Sequence, residues 1–302
     1  FAAAMAAIMV VITSTIFLLQ KYVVSRKSFT MSSLRPIEVK EMKGAGNALM
    51  HVLIYLLVAV SMIPQLVVIY TSFLETRGAV FTGAYSLDSY TTIFSSLGTA
   101  ISNTYLFSTA AILAIVFLGM TVAYLTTRRK SMLTDIIDTL TMFPYIIPGS
   151  VLGITLLLAF NEEPILLSGT ALIIIISLVI RRLPYTLRSS SAILYQISPS
   201  IEEASISLGA SPLKTFFKVT AIMMLPGVMS GAILSWITAI NELSSSVILF
   251  TGATKTMSVA IYTEVIRASY GTAAALSTIL TLTTIVAMVT FFKVSGSKDV
   301  TL

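Results

Sequence analysis

The sequence has no cysteine, one histidine and one tryptophan, and only 11% of its 302 residues are charged. Without cysteine there is no disulfide and no thiol chemistry, and the redox compartment cannot be read. A single histidine, His51, excludes a conventional His or Cys metal cage, so no metal site and no cofactor is expected. Near the start of an apolar run, His51 reads as an interfacial residue. Neither H-E-x-x-H nor G-x-S-x-G occurs, which removes the commonest hydrolase signatures. Residues 252–256 imitate the end of a phosphate-binding loop, but Thr254 stands where the glycine before Lys255 is required. The chain is therefore not expected to hydrolyse ATP. Soluble domains carry roughly 25% charged residues, so charge this scarce excludes an ordinary soluble protein.

What is present is apolar surface: 56% of residues are hydrophobic, and mean hydropathy is +0.94. About seven runs approach the roughly 20 residues that a bilayer core demands of a helix. They cover residues 1–20, 48–73, 103–127, 135–160, 165–180, 221–240 and 271–292. The fold class is thus all-α, a polytopic membrane protein. Placing segments 21–48, 128–130, 181–218 and 293–302 in the cytoplasm puts 16 of the 19 Lys and Arg there, as the positive-inside rule requires. The net charge of +6 is then topology, and nucleic acid is not an expected partner. Phe1 opens inside an apolar run with no basic segment before it, unlike a secretory signal.

The longest polar interval in the second half lies at residues 200–227. Ser200 and Glu203 have capping-box spacing. Ile201, Ala204 and Leu208 fall on one helical face. Gly209 follows the last periodic residue, where a left-handed cap suits glycine. Ser211 and Pro212 restart a helix as N-cap and first helical residue. A short helix, a sharp turn and a second helix running into the membrane are expected.

Glu203-Ala204-Ser205, with Gly209 six residues after Glu203, resembles the EAA loop of permease subunits of binding-protein-dependent ABC importers. The usual pattern is Glu-Ala-Ala, three residues, Gly, nine residues, then Ile-x-Leu-Pro. Here Ser205 replaces the second Ala, Val219 the Ile, and the Leu-Pro pair comes late as Leu225-Pro226. Residues 242–277 resemble the ferric-iron branch of the family, and the likeness extends over 49–292. It implies a type I importer permease core in a bacterial or archaeal cytoplasmic membrane. Implied partners are ABC ATPase subunits, an extracytoplasmic substrate-binding protein, a second permease half and membrane lipid. The ATPase-coupling set would be Ser200, Ile201, Glu203, Ala204, Ser205, Leu208, Gly209, Ser211 and Pro212, within a cytoplasmic loop 181–220. Residues 1–20 and the linker 21–48 look like the closing helix and junction of a preceding permease half. Residues 49–292 would then be the six-helix unit, and 293–302 a tail. Ferric iron is the implied substrate. Polyamine, sulfate and phosphonate import remain open, and an intramembrane enzyme is the remote alternative.

Asn241 and Glu242 close the sixth run at its outer end, and either line the translocation path or lie at the interface. Gly149 with Gly153, and Gly227 with Gly231, form G-x-x-x-G pairs that allow close helix packing, within the subunit or between subunits. Pro144 and Pro148 should kink the fourth run. Asp135 and Asp138 suit the N-terminus of that helix.

Overall fold

The computed structural model describes residues 44–295, with isolated helical positions between residues 8 and 19. The expected first span, most of the basic linker and the tail from residue 296 lie outside the described residues. Helix α1 (Ala45–Thr71) runs unbroken through Pro64. Proline is tolerated in long apolar helices because neighbouring groups satisfy the freed carbonyl. None of its residues is buried, and it packs chiefly against the last helix.

An antiparallel hairpin follows, β1 (Leu74–Arg77) and β2 (Val80–Tyr85), with Arg77 opposite Val80. Gly78 supplies the positive φ that its turn needs. Helix then begins at once, through α2 (Asp88–Thr92), a wide π-helical turn at Ile93–Leu97, and α3 (Gly98–Arg128). The expected loop 74–102 is therefore largely ordered secondary structure, and the third span starts earlier than residue 103.

Helix α4 (Met132–Ile146) opens on a capping box in which Ser131 and Thr134 satisfy each other's backbone. It meets α5 (Gly149–Ala159) at a bend of 110°. Ile147 is extended at φ −72°, ψ 129°, because the ring of Pro148 disfavours helical geometry in the residue before it. Pro144 sits inside α4, so the break belongs to Pro148.

Helix α6 (Ala171–Gln196) passes straight through Arg181 and Arg182. The sequence reading closed the fifth span at that arginine pair and began a loop there, and this is corrected. After α6 come α7 (Pro199–Ser207), α8 (Pro212–Thr215), a π-turn at Phe216–Thr220, and α9 (Ala221–Ile240). Short α10 (Ser246–Leu249) and α11 (Met257–Ile266) precede α12 (Tyr270–Ser295). Among the described residues four helices are long and apolar enough to cross a membrane, or five if α4 and α5 count as one broken span.

Helix α6 sits at the centre, between α3 and α9. In lipid, apolar burial does not drive helices together, so small residues and hydroxyls carry the packing. A Cβ on Gly231 would lie 2.7 Å from Thr186 Cα, and one on Gly227 2.6 Å from Ile193 Cγ2. These two glycines let α9 lie against α6. Across the same seam Thr186 and Ser235 share a hydrogen bond of 2.8 Å, and Ser189 donates to the Gly227 carbonyl at 2.6 Å. Such bonds contribute about 0.6 kcal/mol each. Ile173, Ile174, Leu178 and Ile115 fill the space at one end, and Leu187, Leu194, Met224 and Val228 at the other.

Candidate functional site

Two groups of side chains stand out: a turn beside the Arg128–Lys130 end of α3, and a buried charge cluster halfway along α6. The turn begins at Ser198, the N-cap of α7, with Pro199 in its first turn. Ser200 is therefore inside the helix, and its hydroxyl meets that of Ser198 at 2.7 Å. The expected Ser200–Glu203 capping box does not form, because proline started the helix earlier. Gly209 has φ +91° with open space where a Cβ would be, and its N–H donates to the Ile206 carbonyl. Backbone conformation alone calls for glycine here. Ser211 caps α8 by accepting from the Lys214 amide at 3.3 Å, and Pro212 follows it.

Adjacent glutamates have different roles. Glu203 is exposed, whereas Glu202 is buried. Glu202 accepts from Arg128 Nε at 2.9 Å and from the Tyr124 hydroxyl at 3.0 Å. Arg128 also donates to the Ile197 carbonyl at 2.7 Å. Phe216 packs edge-on against Tyr124, with ring centres 4.8 Å apart. Ser205 and Thr215 are joined at 2.9 Å. The turn is thus clamped to α3 while Ile201, Ala204 and Leu208 face outward, Leu208 being 89% exposed. Tyr124, Arg128, Glu202, Glu203 and Pro212 border a cleft of about 180 Å³. Sequence reasoning missed Glu202, Arg128 and Tyr124, since nothing local distinguishes Glu202 from Glu203.

The second group centres on Glu242, which is 3% exposed. Both Arg181 Nε, at 3.2 Å, and Arg182 Nη2 donate to its Oε2. Ser245 donates its amide to Oε1 at 3.2 Å, and Ser177 donates to the Ser245 hydroxyl at 2.9 Å. Arg181 reaches the Ile147 carbonyl at the α4–α5 bend, 3.3 Å away. A Cβ on Gly149 would come within 2.8 Å of Arg181 Nη1, and one on Gly153 within 3.1 Å of the Ser245 carbonyl. Those two glycines make room for the cluster. At 1.5 Å per residue, Arg181 lies about 15 Å into α6. Glu242 follows directly on the end of α9 and is buried there, beside a basic pair that the sequence reading assigned to a loop. Asn241 is exposed, and its side-chain amide donates to the Ile237 carbonyl of the preceding helix. The structure does not unite Asn241 and Glu242 in one site.

Asp135 lies in the first turn of α4. Asp138, one turn further, pairs with Arg188 at 3.1 Å. His51 is exposed on α1, its Nδ1 2.8 Å from the Asn47 carbonyl. Among the described residues no cluster of three His, Cys, Asp or Glu is placed to hold a metal.

Residues 115–294 match the family described as binding-protein-dependent transport system inner membrane component. The chain is 31% identical over 230 residues to the ferric transport system permease protein FbpB of Actinobacillus pleuropneumoniae, covering 74% of this chain and 33% of that relative. It is 33% identical over 153 residues to the putative ferric transport system permease protein FbpB 1 of Haemophilus influenzae, covering 51% and 24%. The chain therefore spans a third or less of the length of these curated relatives. Others carry the names of molybdate/tungstate, 2-aminoethylphosphonate and sulfate transport permeases. The fold is shared with a bacterial ABC transporter involved in import of the polysaccharide alginate, at TM-score 0.62 and 13% identity over 82% of this chain and 95% of that one.

Proposed function

Because the chain belongs to the family of binding-protein-dependent transport system inner membrane components, we propose that it is the membrane-spanning permease subunit of an ATP-driven importer. It forms the translocation path with a second permease half, and couples to a separate ATPase through the turn from Pro199 to Thr215. A substrate-binding protein on the outer side delivers the cargo. The observation that carries this reading is the Glu202 clamp. It holds α7 rigidly to α3 while leaving Ile201, Ala204 and Leu208 uncovered. A helix of nine residues is too short to be stable alone, since isolated helices below about 12–15 residues are marginal in water. An uncovered apolar face on such a helix calls for a partner groove. The bias of Lys and Arg puts this turn in the cytoplasm, where ATP is.

Ferric iron is the substrate that the names of the two FbpB relatives support. The decisive experiment assembles the permease with its ATPase and offers ferric-loaded, sulfate-loaded and phosphonate-loaded binding proteins in turn. Stimulated ATP hydrolysis with the ferric-loaded protein is expected. Stimulation by another cargo alone would overturn the iron reading and leave the permease reading standing.

A further inference from the structure

The Arg181–Arg182–Glu242 cluster carries more positive charge than its fold requires. One arginine would neutralise Glu242, yet two donate to it. Both Glu242 oxygens are already occupied, since Ser245 donates to Oε1 through its amide and its hydroxyl. Asp138 is engaged elsewhere, by Arg188 at 3.1 Å. One net positive charge is left halfway along α6, among apolar helices. An ionisable group there is costly, and where it is kept it marks a functional path by default.

The spare capacity is specific. A guanidinium carries five N–H donors, and Arg182 Nε is buried with no hydrogen-bond partner. The two arginine side chains keep 16% and 13% of their surface exposed, against 2% for the Glu242 side chain. The accessible surface of the cluster therefore belongs to the arginines and not to the acid. Tyr145, 63% exposed, stands edge-on to Tyr185 with ring centres 5.6 Å apart, one helical turn from Arg182. Guanidinium forks match carboxylate, phosphate and related oxygen anions bidentately.

We propose that Arg181 and Arg182, steadied by Glu242, form an anion-selective site on the translocation path for a group bearing several anionic oxygens. That group is either a free oxyanion or the anionic oxygen ligands carried into the path by a ferric ion. This rests on the permease reading above and narrows its cargo. A bare trivalent cation meets net positive charge, whereas an iron centre wrapped in carboxylate or phosphate oxygens does not.

The test measures binding to the full chain in lipid nanodiscs without the ATPase, using inorganic phosphate, citrate and ferric citrate as probes and choline as the cationic control. Saturable binding of phosphate or ferric citrate, and none of choline, is expected. Tighter binding of ferric citrate than of phosphate assigns the ligand-carrying ion, and the reverse assigns the free oxyanion. Arg182→Gln should weaken binding by about tenfold, the scale of one charge-assisted hydrogen bond. Glu242→Gln raises the net charge and should tighten it, and Arg182→Lys should recover part of the loss. Absence of anion binding to the unaltered chain would overturn the site whatever the variants do. Equal weakening by Arg182→Gln and Glu242→Gln would also overturn it, by showing a purely structural pair. Neither result touches the permease reading, which stands or falls on ATPase stimulation.

Discussion

Arg128 donates from Nε to Glu202 at 2.9 Å, joining the last turn of α3 to the first turn of α7 across 74 residues of sequence. The two side chains are 13% and 11% exposed, so water screens the pair only in part. Movement of α7 against a partner would pass into α3 through this bond and the Tyr124–Phe216 contact. A double-mutant cycle on Arg128→Ala and Glu202→Ala should give an interaction energy of about 1–3 kcal/mol in stability. Substrate-stimulated ATP hydrolysis should fall in both single variants. A cycle that closes at zero would remove the clamp from the mechanism.

Ala204→Asp places a charge in the exposed face of α7 without touching the clamp. It should abolish co-purification with the ATPase, while Glu203→Gln only weakens it, because Glu203 is exposed and Glu202 holds the helix in place. Retained assembly and ATP hydrolysis in Ala204→Asp would show that this face is not the coupling surface.

Gly209→Val should uncouple transport while leaving the chain in the membrane. Its φ of +91° is the sole obstacle, since nothing lies within 4 Å of a Cβ there. The left-handed region costs a β-branched residue at least about 1 kcal/mol. Gly209→Asn, which tolerates that region better, should retain most activity. Measured uptake in the two variants separates backbone strain from crowding, because crowding would penalise both.

Gly231→Ala and Gly227→Ala should both lower the thermal midpoint. The added methyl at Gly231 meets the Thr186 backbone at 2.7 Å, which cannot retreat without moving α6. At Gly227 it meets Ile193 Cβ at 2.7 Å and the Ser189 carbonyl at 3.0 Å, neither of which side-chain rotation can move. Overpacking of this kind costs about 1–3 kcal/mol. An unchanged midpoint in either variant in detergent would contradict the close α6–α9 approach.

Reporters fused after residue 130 or 218 should be cytoplasmic, and those at residue 85 or 162 external. Arg181 and Arg182 no longer count as loop charges, yet Arg128, Arg129 and Lys130 remain at the same end as α7. A reversed reporter at any of the four points would break the proposed orientation.

The turn around Gly209 was legible from local chemistry. Ser211 before Pro212 and glycine at a positive φ act within a few residues, so their meaning does not depend on the rest of the chain. Even there, the start of α7 moved from the expected Ser200 cap to Ser198, because Pro199 is pre-set for a first helical turn. The bend at Pro148 was likewise foreseeable, since a proline acts on the residue before it.

Apolar run length and basic-residue bias, properties of sequence alone, determined that this is a helical membrane protein and which ends of its helices carry charge. The EAA-like spacing located the turn around Gly209. Only the tertiary structure decided which of Glu202 and Glu203 turns inward, because that choice belongs to Arg128 and Tyr124 on another helix. It also decided that Arg181 and Arg182 lie within a continuous helix, paired with Glu242, and not in a loop. An arginine pair is expelled to the interface when it is alone, and is held inside when a carboxylate and a carbonyl meet it there. Glu242 and Ile147 reach the pair from 60 and 34 residues away, distances over which sequence periodicity carries no information about contact.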